Sequence, residues 1–383
     1  MLPTTRHILS ERVRKLVPQG GVQVLLIQHL LADTAEFVKL LDAVGLRPTA
    51  FLPIPYSIHD RLLPEVEVHC ECVARHELEQ LPAAAMEHLL RWADSGRPIL
   101  VHEVGGYLAE PLREAPHIAE RILPVIEETK QGLWRYERAW RNGSRTRVLQ
   151  FADSRLKTLE AEFVGRAVAR AVEEDLLATG RYMDAALIGV VGVGDIGHGV
   201  ATSLRRRGAT VLCFDTSKTR VMEAAARGFR CVDLSTLLSS CDVIVGATGV
   251  RSLKMEDIER AKDGVLLCSA SSRRIEFPVE ELAAESQVQP LSGFVDRHVL
   301  LSGRSVHLSS KGHPVNFRNI SLPAAFSDLM FAQVADSIAR VLLGEAITGV
   351  QNLSAEDEER IAEEWWRYHG PPAMSDGSWL HRI

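Results

Sequence analysis

Apolar residues along this chain fall into two series, in each of which a short continuous run is followed by a longer stretch with apolar residues at helical spacing. The first series opens with VQVLLIQ (22–28), a run bounded by glycines, and continues with ADTAEFVKLLDAVG (32–45), whose helical spacing stops on Gly45. RPTAFLPI reads as a further strand, and EVEVHCECV alternates as a strand does. HELEQLPAAAMEHLLRWADSG reads as a helix, and RPILVHEVGG as a strand running into a glycine pair. The second series begins at ALIGVVGVGDIGHGVATSLRRRG and adds strand-like runs in ATVLCFD, CDVIVGATG and DGVLLCSAS. Strands alternating with helices predict open, mostly parallel sheets. The expected fold class is therefore α/β, with two Rossmann-like, doubly wound domains, an interdomain cleft and a C-terminal helical tail. The pattern over 154–180 is a helix long enough to bridge the two domains, with a hinge expected at 155–165. One domain spans 1–160 and is completed by 320–383; the other spans 161–319. A helix is expected over 323–345, and 346–383 forms a tail in which the adjacent Trp365 and Trp366 want burial.

Composition narrows the classes of partner. A chain of 383 residues with 46% apolar content can bury a core in each of two or three units at roughly 150 residues per domain. Forty-four basic against 50 acidic residues, a formal net charge of −6, lack the positive potential that gathers nucleic-acid phosphates. No nucleic-acid partner is expected. No apolar run approaches the ~20 residues of a membrane helix, and the charged N-terminal stretch lacks the apolar core of a signal peptide, so a cytoplasmic protein without membrane contact is expected. The six cysteines are scattered, which predicts reduced thiols. His69, Cys70 and Cys72 have no second ligand pair at zinc spacing, and no metal is expected.

The strongest chemical signal is G-V-G-D-I-G at Gly192, Gly194, Asp195, Ile196 and Gly197, directly after the apolar run ALIGVV and opening a helix. The first glycine makes the tight turn, the second lets a pyrophosphate approach the backbone, and the third lets helix and strand pack closely. The helix N-terminus then faces the anion. Asp215 ends the next run, ATVLCFD, where its carboxylate accepts hydrogen bonds from both adenosine ribose hydroxyls and repels a 2′-phosphate. The cofactor is expected to be NAD rather than NADP, although Lys218 and Arg220 lie close by. Thr248 and Gly249, after the next strand, complete the expected cofactor set on this side.

The likeness of the chain to one family extends beyond these glycines. GVVGVGDIGHGVATSLRRRGATVLCFD, followed by GFRCVDLSTLLSSCDVIVGATG, resembles the NAD-binding segment of the S-adenosylhomocysteine hydrolase family. Upstream, IEETKQGLWRYERAWRNG is similar to that family's Glu-Glu-Thr segment and FADSRLK to its Asp-Ser-x-x-Lys segment. KGHPVNF (311–317) sits where the family has Gly-x-x-Val-Asn against the nicotinamide. Members oxidise a ribose 3′ hydroxyl with tightly held NAD⁺, eliminate the 5′ thiol beside the resulting ketone, add water and return the hydride. The resemblance implies that Glu128 grips the ribose hydroxyls, that Lys157 lies beside the oxidised hydroxyl and that His29 belongs to the substrate site. It further implies that Thr129 contacts the cofactor and Asn316 the nicotinamide amide.

Other positions depart from the family. Val104 stands where it has an aspartate before the Gly-Gly pair, Ala161 and Glu162 where it has Asp-Asn, Ser272 and Leu322 where it has histidines, and the terminal Lys and Tyr motif is absent. A missing general acid or base costs about 10² to 10⁴ in rate, so ordinary S-adenosylhomocysteine hydrolysis is not expected. The expected activity is NAD-dependent oxidation of a secondary hydroxyl on a nucleoside or sugar-like small molecule, with ketone release or redox-neutral epimerisation or elimination. The alternatives are a non-catalytic NAD-binding regulatory homologue and hydrolysis by a rearranged site. His313, three residues before Asn316, is a candidate to replace a lost acid–base group. Ser57, His59 and Asp60 occupy the region resembling the substrate-recognition loop, and Ser272 with Arg273 a substrate-facing position. Family likeness also implies a homo-oligomer.

Overall fold

The computed structural model describes residues 2–318 and 320–371. The chain divides into two units: one runs to Lys157 and resumes at Ala324, the other is Thr158–Pro323. Along the chain, β1 (Gln23–Leu30), β2 (Ala50–Ile58), β3 (Ile99–Glu103), β4 (Val125–Glu127) and β5 (Val148–Gln150) belong to the first unit. They are followed in the second by β6 (Leu187–Val191), β7 (Thr210–Phe214), β8 (Arg230–Cys231), β9 (Val243–Gly246), β10 (Val265–Ser269), β11 (Ser286–Pro290), β12 (Val295–Leu300) and β13 (Ser305–Ser309). β14 (Val350–Asn352) returns to the first.

The first unit is one parallel sheet in the order β14-β5-β4-β3-β1-β2. Its direction of winding reverses between β1 and β3, and the carboxyl ends of strands at such a switch point are where open α/β sheets bind ligands. β2 carries Pro53 and Pro55 and lies at an edge, where missing N–H donors cost no ladder bond. One face buries Leu25, Ile27, Val101, Val125 and Val148 beneath the helices Leu81–Trp92 and Lys130–Arg141. Across the other face lie the helices Ala32–Ala43 and Ala324–Leu343, whose Phe37 and Phe331 stack with centroids 4.6 Å apart.

The second unit orders its strands β11-β12-β13-β10-β9-β6-β7-β8. Counted from β6 and passing over the antiparallel pair β11 and β12, the parallel part reads 3-2-1-4-5-6, the dinucleotide-binding winding. Two helices of this unit, Glu160–Ala178 and Asp195–Arg206, touch at Gly165 and Gly199, where an added Cβ on either would fall 2.2–2.3 Å from backbone of the other.

Three local expectations need correction. EVEVHCECV is not a strand: Leu63–Val68 is a short helix, started by Pro64 in its first turn, and only Val66 of its alternating valines is buried while Val68 is 66% exposed. Four alternating residues fit one helical turn as well as a strand. The tail is not all helix, because β14 adds a strand beside β5 before the helix Ala355–His369. Of the two tryptophans, Trp365 is half-buried and donates its indole N–H to Ala325 O at 2.6 Å, but Trp366 is 60% exposed. Residues 372–383 of the expected tail lie outside the described residues.

Candidate functional site

In the first unit, parallel register and two-residue alternation sort the polar residues at the strand ends. Leu26 of β1, His102 of β3 and Ile126 of β4 are paired neighbours, as are Ile27, Glu103 and Glu127 one step along. Glu127 and Glu128, adjacent in sequence, therefore go to opposite faces.

Glu103 and Glu127 lie on the face beneath helix Lys130–Arg141 and are fully buried. Glu103 accepts from Tyr107 N at 2.7 Å and from Tyr136 Oη. Glu127 accepts from the backbone of Gly105, Gly106, Glu128 and Thr129, and from Thr129 Oγ1 at 2.6 Å. Burial, then Glu103 beside it, push Glu127 up to about 8 even though its donors favour the carboxylate. Gly132 is needed at its position because a Cβ there would fall 2.0 Å from the Glu127 carboxyl carbon. Thr129, expected at the cofactor, is the N-cap of helix Lys130–Arg141 and accepts from Gly132 N at 3.1 Å.

Glu128 is buried on the opposite face and accepts from Gln28 Nε2 at 2.5 Å, while Gln28 Oε1 takes the His29 backbone N–H at 2.8 Å. Burial works to raise the Glu128 pKa, but the charge of Lys157, with His102, the Gln28 hydrogen bond and His29, holds it below the ordinary carboxylate value. His29 is pushed down to about 4 by burial, with Glu128 pulling it up and Lys157 pressing it down. Its Nδ1 lies 2.6 Å from Ser57 Oγ, which donates to Ile54 O at 3.1 Å. With the hydroxyl proton on Ile54, Nδ1 is the donor and Nε2 carries the imidazole lone pair. Lys157 is half-buried, so it is not a solvent-facing helix lysine; its backbone N–H donates to Ser154 Oγ, which donates in turn to Gln333 Oε1 at 2.6 Å. The structure thus brings together Glu128, Lys157, His29 and Ser57. His59 is half-buried at the end of β2, and Asp60 is exposed and ion-paired with Arg75 at 3.1 Å.

Two residues of this cluster escaped sequence reasoning. Gln28 has a signal only in hindsight, as a polar residue ending a buried strand. His102 had a better one: in RPILVHEVGG a histidine and a glutamate interrupt an apolar strand just before a glycine pair, and both are fully buried.

In the second unit, Gly192 has φ +90° and its added Cβ would lie 2.8 Å from the Ala247 backbone, while one on Gly197 would fall 1.8 Å from Gly192 O. At Gly194 the nearest atoms are those of the Arg220 guanidinium, 3.6–3.9 Å away, so the backbone is open to a pyrophosphate there. Asp195 is exposed at the start of helix Asp195–Arg206, and Ile196 packs against the core. Asp215 accepts from Val193 N and Ser217 N at 2.9 and 2.8 Å, each oxygen retaining a lone pair, with Arg220 Nη1 3.8 Å away. Thr248 and Gly249 are held by Glu276, a buried carboxylate that accepts from both backbone N–H groups at 2.8 Å. Ser310, Lys311 and Gly312 are successive left-handed residues leading into His313. His313 is half-buried and pushed down by burial, Arg274 and Lys311. Asn316 is buried; its Nδ2 donates to Ser321 Oγ at 3.3 Å, and its Oδ1 has no partner among the described residues. An amide oxygen so placed suits a carboxamide N–H, and with the glycine turn and Asp215 it makes a donor and acceptor set that fits NAD. Ser272 is half-buried and Arg273 buried after β10.

Residues 168–321 match the family model for the S-adenosyl-L-homocysteine hydrolase NAD-binding domain. An S-inosyl-L-homocysteine hydrolase of Methanopyrus kandleri is 29% identical over 93% of this chain and 85% of that protein. An adenosylhomocysteinase of Nostoc is 23% identical over 94% and 86%. A D-lactate dehydrogenase of Treponema pallidum superposes with TM-score 0.45 at 13% identity, covering 86% of this chain and 100% of that one. No helix among the described residues is long and apolar enough to cross a membrane.

Proposed function

We propose that this chain, whose residues 168–321 match the NAD-binding domain of S-adenosyl-L-homocysteine hydrolase, is a divergent member of that family and oxidises a secondary hydroxyl of a nucleoside or sugar-like substrate. The observation that carries this reading is the buried cluster of Glu128, Gln28, Lys157 and His29. Bound NAD⁺ supplies the hydride acceptor for such a reaction. An ionised Glu128 accepts hydrogen bonds from substrate hydroxyls, and Lys157 takes the hydroxyl proton when its amine is neutral. His29, kept neutral by burial, is a hydrogen-bonding rather than a charged neighbour for the substrate. Gly192, Gly194, Gly197, Asp215, Thr248, Gly249 and Asn316 are the residues that would hold the cofactor. Val104, buried and apolar, offers no proton at its position, and the proposed outcome is ketone release, epimerisation or elimination rather than ordinary hydrolysis.

The same Val104 supports the second reading, a non-catalytic NAD-holding protein; turnover of any nucleoside eliminates it. The test is absorbance at the reduced-nicotinamide band when purified holoprotein meets a nucleoside panel that includes S-adenosyl- and S-inosyl-homocysteine. We expect reduction with at least one member, and a loss of about 10² to 10⁴ in rate in Lys157→Ala and Glu128→Gln. No reduction with any of them, or unchanged rates in both variants, defeats the proposal. Homocysteine release at ordinary enzyme rates defeats the exclusion of hydrolysis. Kinship also leads us to propose a homo-oligomer, which sedimentation velocity checks.

A further inference from the structure

His102 is the one member of the buried cluster for which this mechanism has no use. It is 1% exposed on β3, and neither ring nitrogen has a hydrogen-bond partner among the described residues. Its strand neighbours are Leu26 and Ile126, and two residues farther along those strands on the same face stand Gln28 and Glu128, the pair joined at 2.5 Å. Val104, two residues further along the chain, has no polar side-chain atom. Phe37 covers the imidazole edge-on at 6.2 Å. A neutral imidazole has one donor and one acceptor, and both are sealed from water where a leucine would fill the space at no polar cost. The charges acting on the ring are those of Glu128 and Lys157. Burial holds it neutral in the resting protein, and the charge of Glu128 works the other way, toward the protonated ring.

We propose that His102 is the proton store of this site, receiving through Glu128 the proton that leaves the substrate hydroxyl during oxidation. It rests on the hydroxyl-oxidation reading above. Oxidation of a secondary alcohol gives a ketone, transfers a hydride to NAD⁺ and frees one proton. In this chain the proton passes from the hydroxyl to the Glu128 and Lys157 pair and comes to rest on His102, where the charge of Glu128 favours the imidazolium. The other titratable groups that act on Glu128 are Lys157 and His29, and Glu128 in turn acts on Asp33 in the first turn of helix Ala32–Ala43. His102 acts through Glu128 and is a positioning residue in this sense.

The experiment counts protons released to a weakly buffered indicator per nicotinamide reduced in a single turnover of the holoprotein, for wild type, His102→Leu and His102→Gln. We expect wild type to release clearly less than one proton per reduction at pH 7 and His102→Leu to release about one, with turnover lowered about tenfold or more. His102→Gln retains a hydrogen-bonding group but cannot store a proton, so it should release protons as the leucine variant does. Denaturant unfolding provides the second measurement: His102→Leu, relieved of two unsatisfied buried nitrogens, should unfold at higher denaturant than wild type while working more slowly. Equal proton release in wild type and both variants overturns the proposal, as does a leucine variant that is both less stable and unchanged in proton count. If wild type reduces no nicotinamide with any nucleoside, the oxidation reading falls and this inference with it. Reduction with unaltered proton counts removes the inference alone.

Discussion

The two faces of the six-stranded sheet carry carboxylates from the same strand ends and use them in opposite ways. On the face beneath helix Lys130–Arg141, Glu103 and Glu127 are surrounded by donors from their own chain, most of them backbone N–H groups. On the other, Glu128 accepts from Gln28 and sits among Lys157, His29 and a His102 whose ring nitrogens have no hydrogen bond among the described residues. A fully satisfied carboxylate fixes structure and has nothing to offer a ligand; a partly satisfied one in a group of titratable neighbours can do chemistry. One step along β4 separates the two.

The sharpest test of this contrast is a matched pair of substitutions at adjacent residues. Glu127→Ala leaves buried N–H and O–H donors of residues 105, 106, 128 and 129 without acceptors, at about 1–3 kcal/mol each and not additively. We expect a stability loss of at least about 4 kcal/mol, read by denaturant unfolding. Glu128→Gln keeps its hydrogen bond to Gln28 through the amide oxygen and should change stability by no more than about 1 kcal/mol while losing turnover. Similar stability losses in both would erase the distinction between the faces.

The faces should also respond to pH with opposite sign. His29 is pushed from 6.5 to about 4, so between those values the unfolded chain is protonated and the folded one is not. Stability is then full above pH 6.5 and falls as pH drops toward 4, by up to about 3 kcal/mol, and His29→Gln should flatten that limb. Glu127 is pushed the other way, from 4.5 to about 8, so the folded chain keeps a proton that the unfolded one has lost. Its share of stability is full below pH 4.5 and declines as pH rises through 8, a limb that His29→Gln should leave untouched. Unfolding curves collected from pH 4 to 9 separate the two.

The second unit was the more legible in sequence, and the reason is physical. Gly192 is required by its left-handed φ and Gly197 by the Gly192 carbonyl a few residues before it, so their spacing survives as a local pattern, and Asp215 follows at the end of the next strand. In the first unit the partners come from different strands. Gln28 meets Glu128 across 100 residues, and no local spacing announces it. Resemblance pointed to Glu128, Lys157 and His29 one at a time, but not to His102 lying among them or to Glu127 rather than Glu128 securing the helix. Glu276, which holds Thr248 and Gly249, was missed for the same reason: its partners lie 27 and 28 residues away. EVEVHCECV failed differently, because so short an alternation is compatible with either period.

The smallest effect expected is at Thr129, and it bears on which face that residue serves. Its side chain accepts from Gly132 N at 3.1 Å and donates to Glu127, the two bonds expected of an N-cap tied into the structural face. Thr129→Ala should cost about 1 kcal/mol, and Thr129→Ser should recover most of it because the hydroxyl alone makes both bonds. With the hydroxyl proton committed to Glu127, a cofactor contact here can use only the methyl group or the remaining lone pair. NAD affinity, measured by calorimetry on the two variants, should therefore change less than twofold in the serine variant, and in the alanine variant by no more than its weakened helix start explains. A large loss of NAD affinity in Thr129→Ala with no loss of stability would move this residue from the structural face to the chemical one.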